Sequence, residues 1–296
     1  MAERTVYLID ASPYIFRAFF SLPESMTDRD GQPVNAIYGF ASFLLRLFTE
    51  EEPSHLACNF DGRLSASFRS EIYPPYKAQR DAPPESLKAQ VARCREIAEA
   101  LGVKTFIDNS LEADDLCGIL ARQMTAAGHR AVVVTSDKDL AQLVDDQVEL
   151  FDFAKGQRYG PAEVEEKFGV PPQHIQDFLA LAGDTVDNIP GVPGIGKKSA
   201  AALIQALGGV EEIYRRLDEV PSLPLRGAAS LERKLREHRD QAELSLRLAT
   251  ILDQGPVSAS LDDLELRGAR RELIDPLFES LGFGTIRERI PHWADD

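Results

Sequence analysis

Apolar residues in the first half of the chain come in short continuous runs, Thr5–Ile9, His55–Phe60, Val103–Ile107, Ala131–Thr135 and Val148–Phe153. Runs of this length without alternation predict strands buried on both faces, as in a parallel sheet. The segments between them carry the helical period instead. Pro13–Phe20, Ala36–Phe48 (Ile37, Phe40, Leu44, Leu47 and Phe48 on one face), Pro84–Leu101 and the run opening at Leu111 read as helices. Gly102 stands where a left-handed helix end is expected. Strands alternating with helices predict an α/β fold with a mainly parallel central sheet flanked by helices.

After about Tyr159 the alternation stops. Pro161–Phe168 and Pro171–Ala182 begin with proline near the first helical turn. A further helix runs to Leu207, and others are expected at Val210–Leu217, Ser230–Leu252 and Arg270–Leu281, with a loop at Val220–Leu225. The chain thus divides into an α/β unit, 1–159, and a helical region, 160–296.

The 296 residues suffice for a sizeable core. Cys58, Cys94 and Cys117 have neither metal-ligand nor disulfide spacing, which points to reduced thiols and a cytoplasmic setting. No apolar run reaches membrane-spanning length. A net charge of −15 argues against coating of nucleic acid by bulk charge. It leaves open binding through local basic patches or through metal ions that bring their own charge.

The acids are not scattered. Asp10, Asp61, and the pair Asp137 and Asp139 directly follow predicted strands, and ligands of open α/β sheets bind at the carboxyl ends of strands. Glu112, Asp114 and Asp115 open a helix, with Glu112 and Asp115 three apart and so neighbours. A helix N-terminus tolerates acids, but carboxylates this close repel one another without a cation. Asp184 and Asp187 repeat the spacing of three. Setting these nine aside raises the net charge from −15 to −6. An all-carboxylate set without His or Cys suits Mg²⁺, with Mn²⁺ able to substitute.

Residues 62–84 differ in character. Arg63, Arg69, Lys77 and Arg80 interleave with Phe68, Tyr73 and Tyr76, and Pro74, Pro75, Pro83 and Pro84 break regular structure. Such a segment suits phosphate contact and base stacking, or is a solvated loop. The stretch Gly191–Ser199 nearly matches a phosphate-binding P-loop. Lys198, however, replaces the metal-binding hydroxyl, a helix rather than a strand precedes it, and two prolines remove amides. It reads better as a tight turn between helices. Gly191, Gly194 and Gly196 would approach a nucleic-acid backbone there, and Lys197 and Lys198 would bind phosphate.

Taken together and in order, Asp10, Phe60-Asp61, Glu112-Ala113-Asp114-Asp115, Thr135-Ser136-Asp137-Lys138-Asp139 and Gly183-Asp184-x-x-Asp187-Asn188 with its glycine-rich turn resemble the 5′ nuclease (flap endonuclease) family. The resemblance is nearest to the 5′→3′ exonuclease domains of bacterial DNA polymerases I. Ala11 stands where many relatives have glycine, and no polymerase follows Asp296, so a stand-alone enzyme or an isolated nuclease domain is expected.

The resemblance implies a PIN-like nuclease core with a helical arch at about 62–84 that passes a single-stranded 5′ end. It also implies a DNA-binding region with a helix-hairpin-helix at about 184–207. It places one metal near Asp10, Asp61, Glu112, Asp114 and Asp115, and a second toward Asp137, Asp139, Asp184 and Asp187. Tyr76, Lys77 and Arg80 would meet the scissile phosphate, with Lys77 stabilising its charge, while Arg17 and Arg69 would bind phosphates. A K⁺ ion would sit at the hairpin.

The expected protein is a monomeric, two-metal 5′→3′ exonuclease and flap endonuclease for primer removal and repair. It would act on DNA with a free 5′ end, flap or nick, including an RNA primer on DNA, beside a polymerase supplied in trans. The alternatives are a non-catalytic DNA-junction binder and a related ribonuclease.

Overall fold

The structure is a computed structural model that describes residues 2–62 and 67–294. Its centre is a sheet of six strands: β1 (Thr5–Asp10), β2 (His55–Asp61), β3 (Lys104–Asp108), β4 (Arg130–Val134), β5 (Val148–Asp152) and β6 (Gln157–Tyr159). Their order is β3-β2-β1-β4-β5-β6. All neighbours run parallel except β5 and β6. The strand order therefore reverses beside β1, which makes the carboxyl end of β1 the switch point where a ligand crevice opens.

One face of the sheet carries Tyr7 and Ile9 and shares an apolar cluster with α1 (Ala11–Ser21), α2 (Asn35–Glu51), α4 (Glu85–Ala100) and α12 (Arg271–Leu281). The other face carries Val6 and Leu8. It packs against α5 (Ala113–Ala126) and belongs to an apolar cluster that continues into α7 (Ile175–Ala182), α8 (Lys197–Leu207), α10 (Ala228–Glu237) and α11 (Arg239–Ala249). Both halves of the chain share this core. Side chains on a strand alternate in direction, so Asp10 points to the same side as Val6 and Leu8, toward α5.

The five predicted strands and most helices appear within a few residues of their expected limits. The structure adds β6, whose three residues are too few to show a period. The helix expected at Ser230–Leu252 is two helices that break at His238 (φ −116°, ψ 32°). Between Arg236 and Gln241 no residue is apolar, so nothing ties the buried faces of α10 and α11 into one register. The helix expected from Val210 to Leu217 ends at Arg215 as α9 (Val210–Arg215), and a 3-10 turn covers Leu217–Ser222. A further helix, α6, spans Pro161–Phe168 with proline in its first turn and Gly169 left-handed at its end.

Among the described residues of the expected arch, the helical part is α3 (Phe68–Ile72). Its prolines replace further helix by turns. These turns are fastened to the turn at 184–188: Lys77 N–H donates to the Asp187 carbonyl (3.0 Å) and Asn188 Nδ2 to the Pro75 carbonyl (2.7 Å). Gln79 Nε2 donates to the carbonyls of Thr185 (3.1 Å) and Val186 (2.9 Å). Lys77 itself has a left-handed backbone (φ 53°), a conformation that costs a non-glycine residue about 1 kcal/mol or more. Arg63 lies outside the described residues.

Candidate active site

A pocket opens at the carboxyl ends of β1, β2 and β4. Asp10, Asp61, Glu112, Asp114 and Asp137 line it together with Ser12, Phe16, Ser67, Tyr76, Lys77 and Arg80. Sheet register brings two of these acids to the same end of neighbouring strands, since Asp10 lies opposite Asn59, two residues before Asp61.

The carboxylates of Asp10, Asp61 and Glu112 are held by donors from other elements. Asp10 Oδ2 accepts from Thr135 Oγ1 (2.9 Å). Asp61 accepts from Ser12 Oγ (2.5 Å) and from the Ala113 N–H at the start of α5 (2.9 Å), where the helix dipole favours negative charge. Glu112 accepts from Ser67 Oγ (2.7 Å), Tyr76 Oη (3.3 Å) and Lys77 Nζ (2.5 Å). Asp137 and Asp139 are set by a chain of bonds. The Asp137 N–H donates to Thr135 Oγ1 (3.0 Å), and the Asp139 N–H donates to Asp137 Oδ1 (2.9 Å).

These donors do not balance the charge. Burial, then the neighbouring Asp61 and Asp137 carboxylates, push the Asp10 carboxyl up to about 8. Burial also raises Asp61. Burial and the Glu112 charge hold Asp114 well above the usual carboxylate range. Glu112 is lowered: its burial is outweighed by the nearby Lys77 and Arg69 cations. The Lys77 ammonium is held well above its ordinary value by Glu112, Tyr76 and Asp187, against the effect of its own burial.

Several residues stand differently from expectation. Asp115 does not line the pocket. It is fully buried and forms a two-point pair with Arg69, Nη1 to Oδ2 and Nη2 to Oδ1, each 2.7 Å, while accepting from the Glu112 (3.1 Å) and Leu252 (3.0 Å) amides. Arg69, expected to bind phosphate, is 1% exposed and spends its remaining donors on the Leu248 (2.9 Å) and Thr250 (2.7 Å) carbonyls. Both are structural, because a guanidinium and a carboxylate so paired have no free geometry for a ligand. Tyr76 is likewise buried, its hydroxyl directed at Glu112 and Asp187 (3.3 Å each), so its ring is not presented for stacking.

The expected division of the acids also shifts. Asp137 lines the pocket with Asp10 and Asp61. Asp187 turns toward Glu112, pairing with Arg80 and lying 3.5 Å from Lys77. Asp139 and Asp184 form a separate pair joined by Lys138. Among the described residues, no three of these side chains already stand in ligand geometry around one point.

The hairpin lies between α7 and α8. Lys197 and Lys198 are exposed at the start of α8, as are Gly194 and Gly196. Gly191 is not. Its amide donates to the buried Ser245 Oγ (3.0 Å), and a Cβ there would come within 2.4 Å of the Gly183 nitrogen. Glycine at 191 serves internal packing, not approach to a ligand. Arg17 is exposed on α1 with no ion-pair partner among the described residues.

The residues that sequence reasoning passed over are Ser12, Phe16, Ser67, Thr135 and Lys138. Ser12 and Thr135 each stand two residues from a site acid, yet each hydroxyl donates to an acid on another strand, Asp61 and Asp10, which sequence spacing does not show. Lys138 lies in plain view between two acids.

Two family models match the chain. The 5′-3′ exonuclease N-terminal resolvase-like domain matches residues 5–169. The 5′-3′ exonuclease C-terminal SAM fold matches residues 170–272. DNA polymerase I of Pseudomonas aeruginosa is 41% identical over 297 residues, covering 100% of this chain and 32% of that protein. DNA polymerase I of Bacillus subtilis is 37% identical over 295 residues, covering 98% and 33%. The chain thus spans about a third of the length of the curated relatives it matches. In fold it is similar to a T5 5′-exonuclease solved with bound zinc (TM-score 0.68, 21% identity, covering 95% of this chain and 99% of that one). It is also similar to the catalytic core of Rad2 solved with a DNA substrate (TM-score 0.58, 13% identity, covering 97% and 90%).

Proposed function

This chain belongs to the 5′-3′ exonuclease family, and on that premise we propose that the pocket hydrolyses DNA phosphodiester bonds at free 5′ ends and 5′ flaps with the help of divalent cations. The observation that carries this reading is the convergence of Asp10, Asp61, Glu112, Asp114 and Asp137 beneath Lys77 and Arg80. Carboxylates that burial and mutual repulsion push upward are oxygen donors lacking a counter-charge. That chemistry fits Mg²⁺, with Mn²⁺ as a substitute. Bound there, such ions would supply the chemistry of water activation and leaving-oxygen stabilisation that an in-line displacement needs.

The chain's own groups have distinct parts. Asp10, Asp61, Glu112, Asp114 and Asp137 hold the cations on one side, and Asp139, Asp184 and Asp187 extend the set. Lys77 and Arg80 face the scissile phosphate, and Lys77 offers a point charge where negative charge develops. Arg17, Lys197, Lys198 and the amides near Gly194 and Gly196 track the backbone of the duplex without reading sequence. A K⁺ ion held by hairpin carbonyls would compete at Gly194 with the Lys234 ammonium, which donates to that oxygen at 2.8 Å. The segment 67–84 would admit a single-stranded 5′ end. Flaps and RNA primers left beside a polymerase are the substrates such a site fits.

The test is Mg²⁺-dependent cleavage of a labelled 5′-flap duplex beside single-stranded RNA of the same length. Cleavage of the flap with little action on the RNA supports the reading. Binding without cleavage would make the protein a junction binder, and preferential cleavage of the RNA would make it a ribonuclease.

A further inference from the structure

Lys138 joins the two acids that the pocket leaves aside. Its Nζ donates to Asp139 Oδ1 at 2.9 Å and also to Asp184 Oδ2. The Asp184 carboxylate and the backbone that carries Asp139 are fixed independently of it. Asp139 belongs to the hydrogen-bonded chain that descends from Thr135 through Asp137. Asp184 is pinned by mutual backbone bonds with Ile189 (2.8 and 2.9 Å) and accepts the Val186 N–H at Oδ1 (2.6 Å). The lysine is therefore not needed to place Asp184 or the turn that carries Asp139. It sits where two carboxylates from different halves of the chain converge, with its side chain 38% exposed.

We propose that Lys138 is an internal counter-ion that competes with a divalent cation for Asp139 and Asp184, so that this part of the site binds metal weakly until the ammonium moves aside. This rests on the reading that the acidic set takes divalent cations. The Coulomb argument is direct. An ammonium in contact with both carboxylates neutralises much of their attraction for another cation and repels a divalent ion brought to the same oxygens. The ammonium contacts Asp139 at 2.9 Å and reaches Asp184 as well. A metal that displaces the ammonium must replace that interaction.

The test uses the whole chain without DNA. Mn²⁺ is titrated and followed by the loss of the free-ion electron paramagnetic resonance signal. Lys138→Met should tighten the weaker class of Mn²⁺ sites by about tenfold or more, while Lys138→Arg should bind as the wild type does. An unchanged or weaker affinity in a folded Lys138→Met protein would overturn the proposal. A second measurement needs no variant. Saturating Mn²⁺ should raise the rate at which the wild-type Lys138 amine is acylated, read by peptide mass spectrometry, and an unchanged rate would overturn the proposal even if Lys138→Met fails to fold. Wild-type protein that takes up no Mn²⁺ would overturn both this proposal and the metal-dependent function. Wild-type uptake with no effect at Lys138 would overturn this proposal alone.

Discussion

Arg69 and Asp115 meet as a two-point ion pair inside the protein, with both N–O distances at 2.7 Å and the two side chains 2% and 0% exposed. Through the Leu248 and Thr250 carbonyls the same guanidinium ties segment 67–84 and α5 to the end of α11. The pair therefore sets the position of the helix whose N-terminus forms the pocket floor.

Arg69→Met should cost about 3–5 kcal/mol of folding stability, because it leaves a carboxylate buried without its partner. Lysine should rescue little, since it lacks the planar fork. Urea denaturation of the metal-free protein measures both, and a loss below about 1 kcal/mol would contradict the structural role.

The division between what sequence could and could not show follows from range. Asp10, Asp61 and Asp137 were legible because continuous apolar strands announce a parallel sheet, and a parallel sheet announces its carboxyl ends. Arg69 was not. Its partners at 115, 248 and 250 come together only through tertiary packing, and a basic residue among aromatics looks the same in sequence whether it faces phosphate or a buried aspartate. Gly191 misled for a related reason, since its freedom is used against Gly183 across the hairpin. The break at His238 could have been read, because the polar run from Arg236 to Gln241 interrupts the apolar period.

The raised Asp10 carboxyl has a pH signature. Without metal, the folded state retains a proton between the ordinary value of 3.8 and about 8 that the unfolded state releases. Stability of the metal-free protein therefore falls as pH rises through that window. Asp61 and Asp114, also raised, act in the same sense. Asp10→Asn should flatten the slope and stabilise the metal-free protein at pH 8. Urea midpoints at pH 5 and 8 in chelator measure this. Identical slopes for variant and wild type would contradict it. Mn²⁺ should restore more stability at pH 8 than at pH 5, because its ligands must be deprotonated.

Lys77→Ala should lower kcat by a factor of about 10²–10³ with little change in KM, the loss expected when one charge-stabilising interaction disappears. Arginine should rescue only partly. Single-turnover cleavage of a 5′-flap substrate separates the two constants, and a change confined to KM would make Lys77 a binding residue.

Changing Lys197 and Lys198 together to alanine should weaken binding to duplex-containing substrates and reduce the slope of log affinity against log salt by about 2, one for each phosphate that is no longer neutralised. The saturated rate should hold. A large fall in kcat at saturating DNA would mean that the hairpin also positions the scissile bond.

The most direct measurement is the cleavage of a labelled 5′-flap duplex by the wild type and by Asp10→Asn and Asp61→Asn, in Mg²⁺ and in chelator, with DNA binding followed in parallel. The account predicts cleavage by the wild type in Mg²⁺ only, and a fall of at least about 10²-fold for either variant, with flap binding kept. Wild-type cleavage that persists in chelator, or variants that cleave as fast as the wild type, would contradict it.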